Sequence, residues 1–468
     1  MNNPHKLAST TLRERTAVAL DDPTLRPKLR RALGHFDEGR KAALRHIENP
    51  LELRQAARAM RTEIMARLPE ILQRLADNVI AQGGNVHWAV DAEDANAYIA
   101  EVAKRKGAKL VAKSKSMATE ETGLNEALSA IGAEPIETDL GEWLVQLDHK
   151  APSHIIAPAV HMDRHEVKQL MKRTQGASDD LGTTPPELVA FARQRLREQF
   201  LAADIGITGC NLAVADTGSI ILVMNEGNGR MVTALPKVHI ALMGMERVVE
   251  NWDQADLILN LLARSASGQD LSSYTNIITG PGDQAESDGA EEFHLVIMDN
   301  GRSDILGSKY EEMLNCIRCG ACLNVCPVYR QVGGHAYGWV YSGPMGAVLT
   351  PLLQSEEPHS AELANASTLC GACMEACPVE IPLQDLLLAL RQDKALEASR
   401  SEKLAWKAWS MAWSKQRSYE ASMKASNIGS KVAGDGTRLP GLRRWAQGRA
   451  LLQPAKRSFR QRWADGDV

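Results

Sequence analysis

The chain has 468 residues and a formal net charge of −4, a length that suits roughly two to four domains. Its 44% hydrophobic content is ordinary for a water-soluble globular protein, and no apolar run approaches the ~18 residues that would span a bilayer. The opening stretch, MNNPHKLASTTLRERTAVAL, has no continuous apolar segment, so no secretory signal is expected and a cytoplasmic protein is the reading.

Residues 1–84 read as a helical region. Leu53, Ala57, Met60, Ile64, Leu68, Ile71, Leu75 and Val79 recur at steps of three and four, which makes one apolar stripe. Pro69 interrupts it and suits the start of a second helix, and Gly83-Gly84 ends it. No chemistry is visible there, and packing or docking is the expected role.

Residues 85–303 alternate. Short β-rich runs (Val86–Val90, Lys109–Lys113, Glu134–Thr138, His154–Ala157) are separated by helix-like stretches, one of them from Asp91, a good N-cap, to Lys106. This alternation predicts an α/β domain with a largely parallel sheet. A denser β region follows at Leu212–Ala215, Ser219–Met224, Val238–Leu242, Thr275–Thr279 and Leu295–Met298, and the D-T-G between the first two suits a tight hairpin.

Two loops follow predicted strands and qualify as ligand sites, because open α/β sheets bind ligands at strand C-termini. One is Lys113, Ser114, Lys115 and Ser116, whose cations and hydroxyls suit an anion such as a carboxylate or phosphate. The other is Asn225–Arg230, which offers Glu226, Asn228 and Arg230 around two glycines. Solvated connections are the plain alternative for both. His161 and His165 have the spacing of two ligands on one helix face, but no HExxH glutamate lies between them, and surface or capping histidines fit better than zinc. P-loop, GxGxxG and GxSxG patterns are absent.

Residues 304–395 carry seven of the eight cysteines. Cys316–Pro327 reads C-I-R-C-G-A-C-L-N-V-C-P, the ligand run of a bacterial ferredoxin, in which the fourth cysteine serves the other cluster. Cys370, Cys373 and Cys377, followed by Pro378, form a second, shorter run. Zinc wants two knuckles and four ligands, and disulfides want an oxidising compartment; seven cysteines with proline closing both runs fit iron–sulfur better. Counting back from Cys377 by the same spacing puts Ser367 where a fourth cysteine would stand. Either Ser367 ligates through oxygen, or that cluster is [3Fe–4S], or one iron is open to solvent or substrate. Five glycines with Tyr337, Trp339 and Tyr341 lie between the runs, where they either bring backbone N–H groups to the cluster sulfurs or simply pack. Cys210 stands alone and reads as a buried small hydrophobe.

Residues 396–468 form a basic tail. From Ser401 onward, 14 Lys and Arg face 5 Asp and Glu, which leaves −13 for the rest of the chain. Trp406, Trp409 and Trp413 recur at helical spacing among lysines. Core packing, docking to a partner, and contact with an anionic membrane surface are the three readings.

Seven blocks together resemble one family, the lactate-utilization protein B family of iron–sulfur proteins. They are KSKSMATEETGLN (113–125), ETDLGEWLVQLD (137–148), PSHIIAPAVH (152–161), GITGCNLAVADTGS (206–219), NEGNGRMVTALPKVHIALMGMERV (225–248), DGAEEFHLVIMDNGRS (288–303) and CIRCGACLNVCPVYRQVGGHAYG (316–338). The resemblance implies a LUD domain, an α/β fold similar to CoA transferases and sugar-phosphate isomerases, followed by an α-helical two-cluster ferredoxin domain. It implies two clusters of the [4Fe–4S] type, one on Cys316, Cys319, Cys322 and Cys377, the other on Cys326, Cys370 and Cys373. Within the matching blocks, His239 joins the two loops as a candidate ligand-binding residue. Family members oxidise L-lactate to pyruvate with a cysteine-rich A-type companion and a second LUD protein of C type. The chain is then an oxidoreductase subunit rather than a stand-alone enzyme, passing electrons to a quinone or another acceptor, with no nucleic acid among its partners. The rival readings are a ferredoxin-like adaptor whose LUD domain senses a ligand, and the same assembly acting on another 2-hydroxy acid.

Overall fold

In the computed structural model, which describes residues 7–283, 288–397, 399–433, 455 and 457–467, the apolar stripe forms two helices, Pro50–Ala66 and Leu68–Ala81. Pro69 lies in the first turn of the second, where its missing N–H costs nothing. Leu53 is half-buried, while Ala57, Ile64, Leu68, Ile71, Leu75 and Val79 are fully buried. Two further helices, Leu12–Asp21 and Leu25–Leu44, precede them.

Ten strands follow: β1 Asn85–Ala89, β2 Leu110–Lys113, β3 Glu134–Glu137, β4 Ile205–Thr208, β5 Leu212–Val214, β6 Ser219–Met224, β7 Val238–Gly244, β8 Val248–Val249, β9 Tyr274–Thr279 and β10 Glu292–Met298. Six make a sheet in the order β1-β10-β7-β4-β2-β3, with every pair parallel. β7 is buried along its whole length, as a central parallel strand covered on both faces must be. The other four pair in the order β8-β5-β6-β9, and β5 and β6 are the antiparallel hairpin expected around D-T-G, with Gly218 in the left-handed region at φ +68°. Asp91 caps the helix Ala92–Lys106 by accepting the N–H of Asp94.

Two strands escape the sequence reading, and one expected strand is not formed. β4 is only four residues long and contains Gly206, where a Cβ would sit 1.9 Å from the Val232 carbonyl oxygen; its glycine marks close backbone approach rather than a loop. β8 has two residues. His154–Ala157 is a bend instead of a strand. The ring Nδ1 of His154 accepts the N–H groups of Ile156 and Ala157, so the amides a strand partner would need are satisfied locally.

One large apolar core joins the N-terminal helices, the small sheet, one face of the parallel sheet and the cysteine-bearing segment. A second core covers the opposite sheet face beneath the helices Ala92–Lys106 and Leu124–Ala130. Residues up to Gln392 form one compact unit, and residues from Asp393 onward form another. In the second unit the helices Arg400–Trp413 and Gln416–Ala433 follow one another. Trp406 meets Trp409 edge-on and Trp409 stacks on Trp413, and the three are about half exposed (62%, 52% and 49%). The remainder of the basic tail, residues 398, 434–454, 456 and 468, lies outside the described residues. Among the described residues no helix is long and apolar enough to cross a membrane.

Buried charges tie the parallel sheet to the cysteine-bearing segment. Arg302 is buried and donates to both oxygens of Glu121 (2.9 and 2.8 Å) and to Glu246 (2.8 Å). Arg318, two residues past Cys316, donates to the other oxygen of Glu246 at 3.0 Å, and the Tyr341 hydroxyl donates to Glu121 at 2.7 Å. Burial alone would raise the Glu246 carboxyl, but Arg302, Arg318 and Arg247 hold it down at about 2. Removing one partner from such a network strands the others, a cost of about 3–5 kcal/mol. Arg302→Met is therefore expected to lower the unfolding free energy of the full chain, read from urea titration, by that margin; a change under about 0.5 kcal/mol, the range of an ordinary surface substitution, would show that the network carries no weight.

Candidate functional site

The connections of the parallel sheet leave β2 and β4 in opposite directions. β2 leads outward to β3 at one edge, whereas β4 leads toward β7, β10 and the other edge. Such a switch point opens a crevice beyond the strand C-termini. A crevice of about 430 Å³ lies there. Ser114, Lys115 and Ser116 line it from the end of β2, Gly209, Cys210 and Asn211 from the end of β4, and Glu226 and Asn228 from the loop after β6. Gly244, Glu246 and Arg247 close its floor beyond β7. Glu226 stands exposed at the mouth of the crevice, where partial desolvation on its inner side, then the nearby Asp139, raise its carboxyl to about 7.

Of the residues expected to bind a ligand, Ser114, Lys115, Ser116, Glu226 and Asn228 therefore share one cavity. Three do not join them. Lys113 is fully buried and spent on Glu137 (2.6 Å), Glu120 (3.6 Å) and the Asn125 side chain (2.6 Å). Burial leaves that group with more carboxylates than cations: Glu120 is pushed up to about 7 and Glu142 well above its ordinary value. The strand alternation that aims Ser114 at the crevice aims Lys113 beneath the sheet. His239 lies within β7 and bonds Thr208 Oγ1 at 2.9 Å, while burial drops its pKa to about 3 and keeps it neutral. Arg230 is exposed on the helix Asn228–Ala234. Cys210 lines the crevice, and burial pushes its thiol up to about 12. His161 faces His335 with ring centroids 4.6 Å apart, while His165 is exposed, so the pair does not converge as zinc ligands would.

The seven clustered cysteines fall into two groups. Cys316, Cys319, Cys322 and Cys377 line one cavity. Cys326, Cys370 and Cys373 line another, together with Ser367. The exchange of Cys326 and Cys377 follows from a repeat in the backbone. Arg318 and Leu369 both take positive φ (58° and 54°), as do Gly320 and Gly371 (79° and 84°). Each glycine then starts one short helix, Ala321–Val325 or Ala372–Ala376, which ends on a cysteine in extended conformation before proline. That last cysteine points away from its own run. In the same repeat Ser367 occupies the place of Cys316, and its hydroxyl oxygen accepts the Leu369 N–H at 3.1 Å.

These donors fit iron–sulfur clusters. Among the described residues no three His, Cys, Asp or Glu side chains converge on one metal ion. Seven cysteines that instead ring two cavities suit clusters, whose irons are ligated one corner each. Backbone N–H groups of Tyr329 and Ile381 approach the sulfurs of Cys326 and Cys377 at 3.5 and 3.4 Å, and that of Met345 faces Cys322. Such donors stabilise thiolate charge and tune a cluster. Burial first, then neighbouring cysteines, raise the thiols of Cys322, Cys373 (about 11) and Cys377 (about 12), while Cys370 is exposed and lowered by the Ala372 N–H. The glycines between the runs serve packing more than sulfur contact: a Cβ at Gly334 would meet the Ser153 carbonyl oxygen at 1.8 Å, and one at Gly343 the Leu323 side chain at 2.4 Å.

The sequence reading missed the arginines. Arg54 donates to the Cys377 carbonyl at 2.8 and 3.1 Å. Arg61 is buried in the apolar stripe and donates to the carbonyls of Val248, Glu246 and Leu314 (2.9, 2.6 and 3.0 Å). Arg247 donates to the Cys316 carbonyl at 3.0 Å and also to Asn211. A signal was available for Arg61, which falls between Met60 and Ile64 on the buried face; a charge there has to have partners. Ile155 borders both the crevice and the four-cysteine cavity, so the two sites share a wall.

The LUD domain family matches residues 72–298, the 4Fe-4S dicluster domain matches residues 312–381, and the family described as lactate utilisation protein B, C-terminal, matches residues 388–467. Lactate utilization protein B of Bacillus licheniformis is 47% identical over 98% of this chain and 98% of its own length. The proteins of the same name from Shouchella clausii and Bacillus subtilis are 46% and 45% identical, over 97% and 99% of this chain and 97% and 98% of their own. With its LUD domain, its cysteine-bearing dicluster domain and full-length similarity of this kind, the chain belongs to the lactate utilization protein B family and is an iron–sulfur component of lactate utilization.

Proposed function

We propose that this chain is the electron-transfer component of a multi-subunit system that oxidises L-lactate to pyruvate, working with a cysteine-rich companion and a second LUD-domain protein. The observation that carries the reading is the division of seven cysteines between two cavities, one of which shares a wall with the crevice. Cys316, Cys319, Cys322 and Cys377 hold one [4Fe–4S] cluster. Cys326, Cys370 and Cys373 hold the second, with Ser367 at its fourth corner. A serine oxygen is a harder donor than a thiolate and a poorer match for iron in a sulfide cube, so that corner is the labile one. When bound, the clusters supply one-electron redox steps, and two of them match the two electrons lactate releases.

The protein's own groups supply the rest. In the crevice, Lys115 offers the positive charge for a small 2-hydroxy carboxylate, and Asn211, Asn228, Ser114 and Ser116 offer hydrogen bonds. Lactate oxidation also releases two protons, and Glu226, poised at about 7, is able to take one at neutral pH. Ile155 keeps the space between crevice and cysteines apolar. Cys370 is exposed, which supports a relay whose other end meets a partner protein at the surface.

Two experiments test this reading. In anaerobically purified protein, Cys326→Ala should remove the cluster held by Cys370 and Cys373 and spare the one held by its sequence neighbours, so that the iron content falls by about half. Loss of the other EPR signal would overturn the ligand sets. For the crevice, Glu226 carries no charge below about 7 and repels a carboxylate above it. L-lactate binding measured by calorimetry should weaken about fivefold from pH 6 to pH 8, the size of one screened like charge nearby, and Glu226→Gln should flatten that profile. An unchanged profile in the variant would remove Glu226 from the site.

A further inference from the structure

The buried arginines beside Cys316 outnumber their acids. Among the described residues, the acidic side chains that pair with Arg61, Arg247, Arg302 and Arg318 are Glu121 and Glu246 alone. Arg61 is 1% exposed and Arg247 7%, and both donate only to backbone carbonyls, including those of Leu314, Cys316 and Ile317. Arg318 lies over the Tyr341 ring at 5.1 Å. Burial and the repulsion of Arg247 lower Arg61 to about 9. Two positive charges are thus left uncompensated in the interior, a costly arrangement unless something negative joins them. Four thiolates on a doubly positive cubane carry a net charge of about −2, which closes that balance.

The second cavity is built differently. Among the described residues no charged side chain lines it, and Cys370 and Thr368 are exposed to water. Arg391 reaches the Ser367 carbonyl at 2.8 Å, but from a part-exposed position, where solvent screens it. Adding an electron makes a cluster more negative, and a buried cation favours that state far more than a screened one.

We infer that Arg61, Arg247 and Arg318 act as the built-in counter-charge of the cluster at Cys316, Cys319, Cys322 and Cys377, so that this buried cluster takes up an electron before the one at Cys370. The arginines are tuning residues: Arg61 and Arg247 bond backbone carbonyls and Arg318 bonds Glu246, while Arg247 and Arg318 also line the crevice. The inference rests on the ligand sets proposed above, and iron analysis separates the two: a chain that assembles no clusters defeats that reading, whereas one that assembles both with the opposite order defeats only this inference.

The test is an EPR-monitored redox titration of the full-length protein, with the two signals assigned through Cys370→Ala. The buried cluster is expected to reduce first. Arg247→Gln should lower its reduced-to-oxidised ratio by about tenfold at fixed potential, the effect of one buried charge, and Arg247→Lys should restore most of it. Glu246→Gln should move the same ratio the other way. Structural loosening would shift both neutral variants in one direction, whereas counter-charge shifts them oppositely. The signal lost in Cys370→Ala should respond to none of them. Prior reduction of the Cys370 cluster, shifts of one sign in both variants, or no shift in either would overturn the inference. Should Arg247→Gln fail to fold, the lysine and Glu246 variants still decide.

Discussion

The structure turns on Glu246 and the arginines around it. The short segment after β7 cannot leave its carboxylate buried without cations, and it draws them from three places. Arg302 comes from the end of the LUD sheet, Arg318 from the first cysteine run, and Arg61 reaches the backbone of the same segment from the N-terminal helices. Elements far apart in sequence are fixed to one point. The first cysteine run is consequently not a module on a flexible linker, because its backbone carbonyls at Leu314, Cys316 and Ile317 are held by arginines from the rest of the unit.

That constraint gives the crevice its significance. Many α/β folds have a cavity at a switch point, and the cavity alone says little about chemistry. Here the loop that carries Glu246 and Arg247 is both the floor of the crevice and the support of the cysteine run. A ligand that contacts the floor is one layer of side chains away from the four-cysteine cavity. Under the proposed function, the LUD domain is then the wall of a redox site instead of an independent binding module.

Periodic and punctuated features were legible in the sequence. The stripe from Leu53 to Val79, the Asp91 cap, the D-T-G hairpin and the repeat that sets Ser367 against Cys316 depend on local rules, and local rules survive folding. β4 was illegible because its four residues derive their strand character from neighbours on both sides, and Gly206 argues locally for a turn. His154–Ala157 misled in the opposite sense: an apolar run with β propensity folded onto its own histidine. Lys113 was assigned to the ligand site because it adjoins Ser114 and Lys115, and the pleat of β2 put it on the other side. The arginine hub was hidden because nothing in one strand of text states that Arg61, Arg247, Arg302 and Arg318 meet. Only the misfit of Arg61 within an apolar stripe hinted at it.

The most direct check of an electron-transfer role in lactate oxidation is rapid-freeze EPR of the reconstituted system. L-Lactate is mixed anaerobically with this chain and the two companion proteins proposed for it, without a final acceptor. The account predicts reduced-cluster signals from this chain within the turnover time, scaled to the pyruvate formed. Pyruvate formation with both clusters remaining oxidised would contradict it.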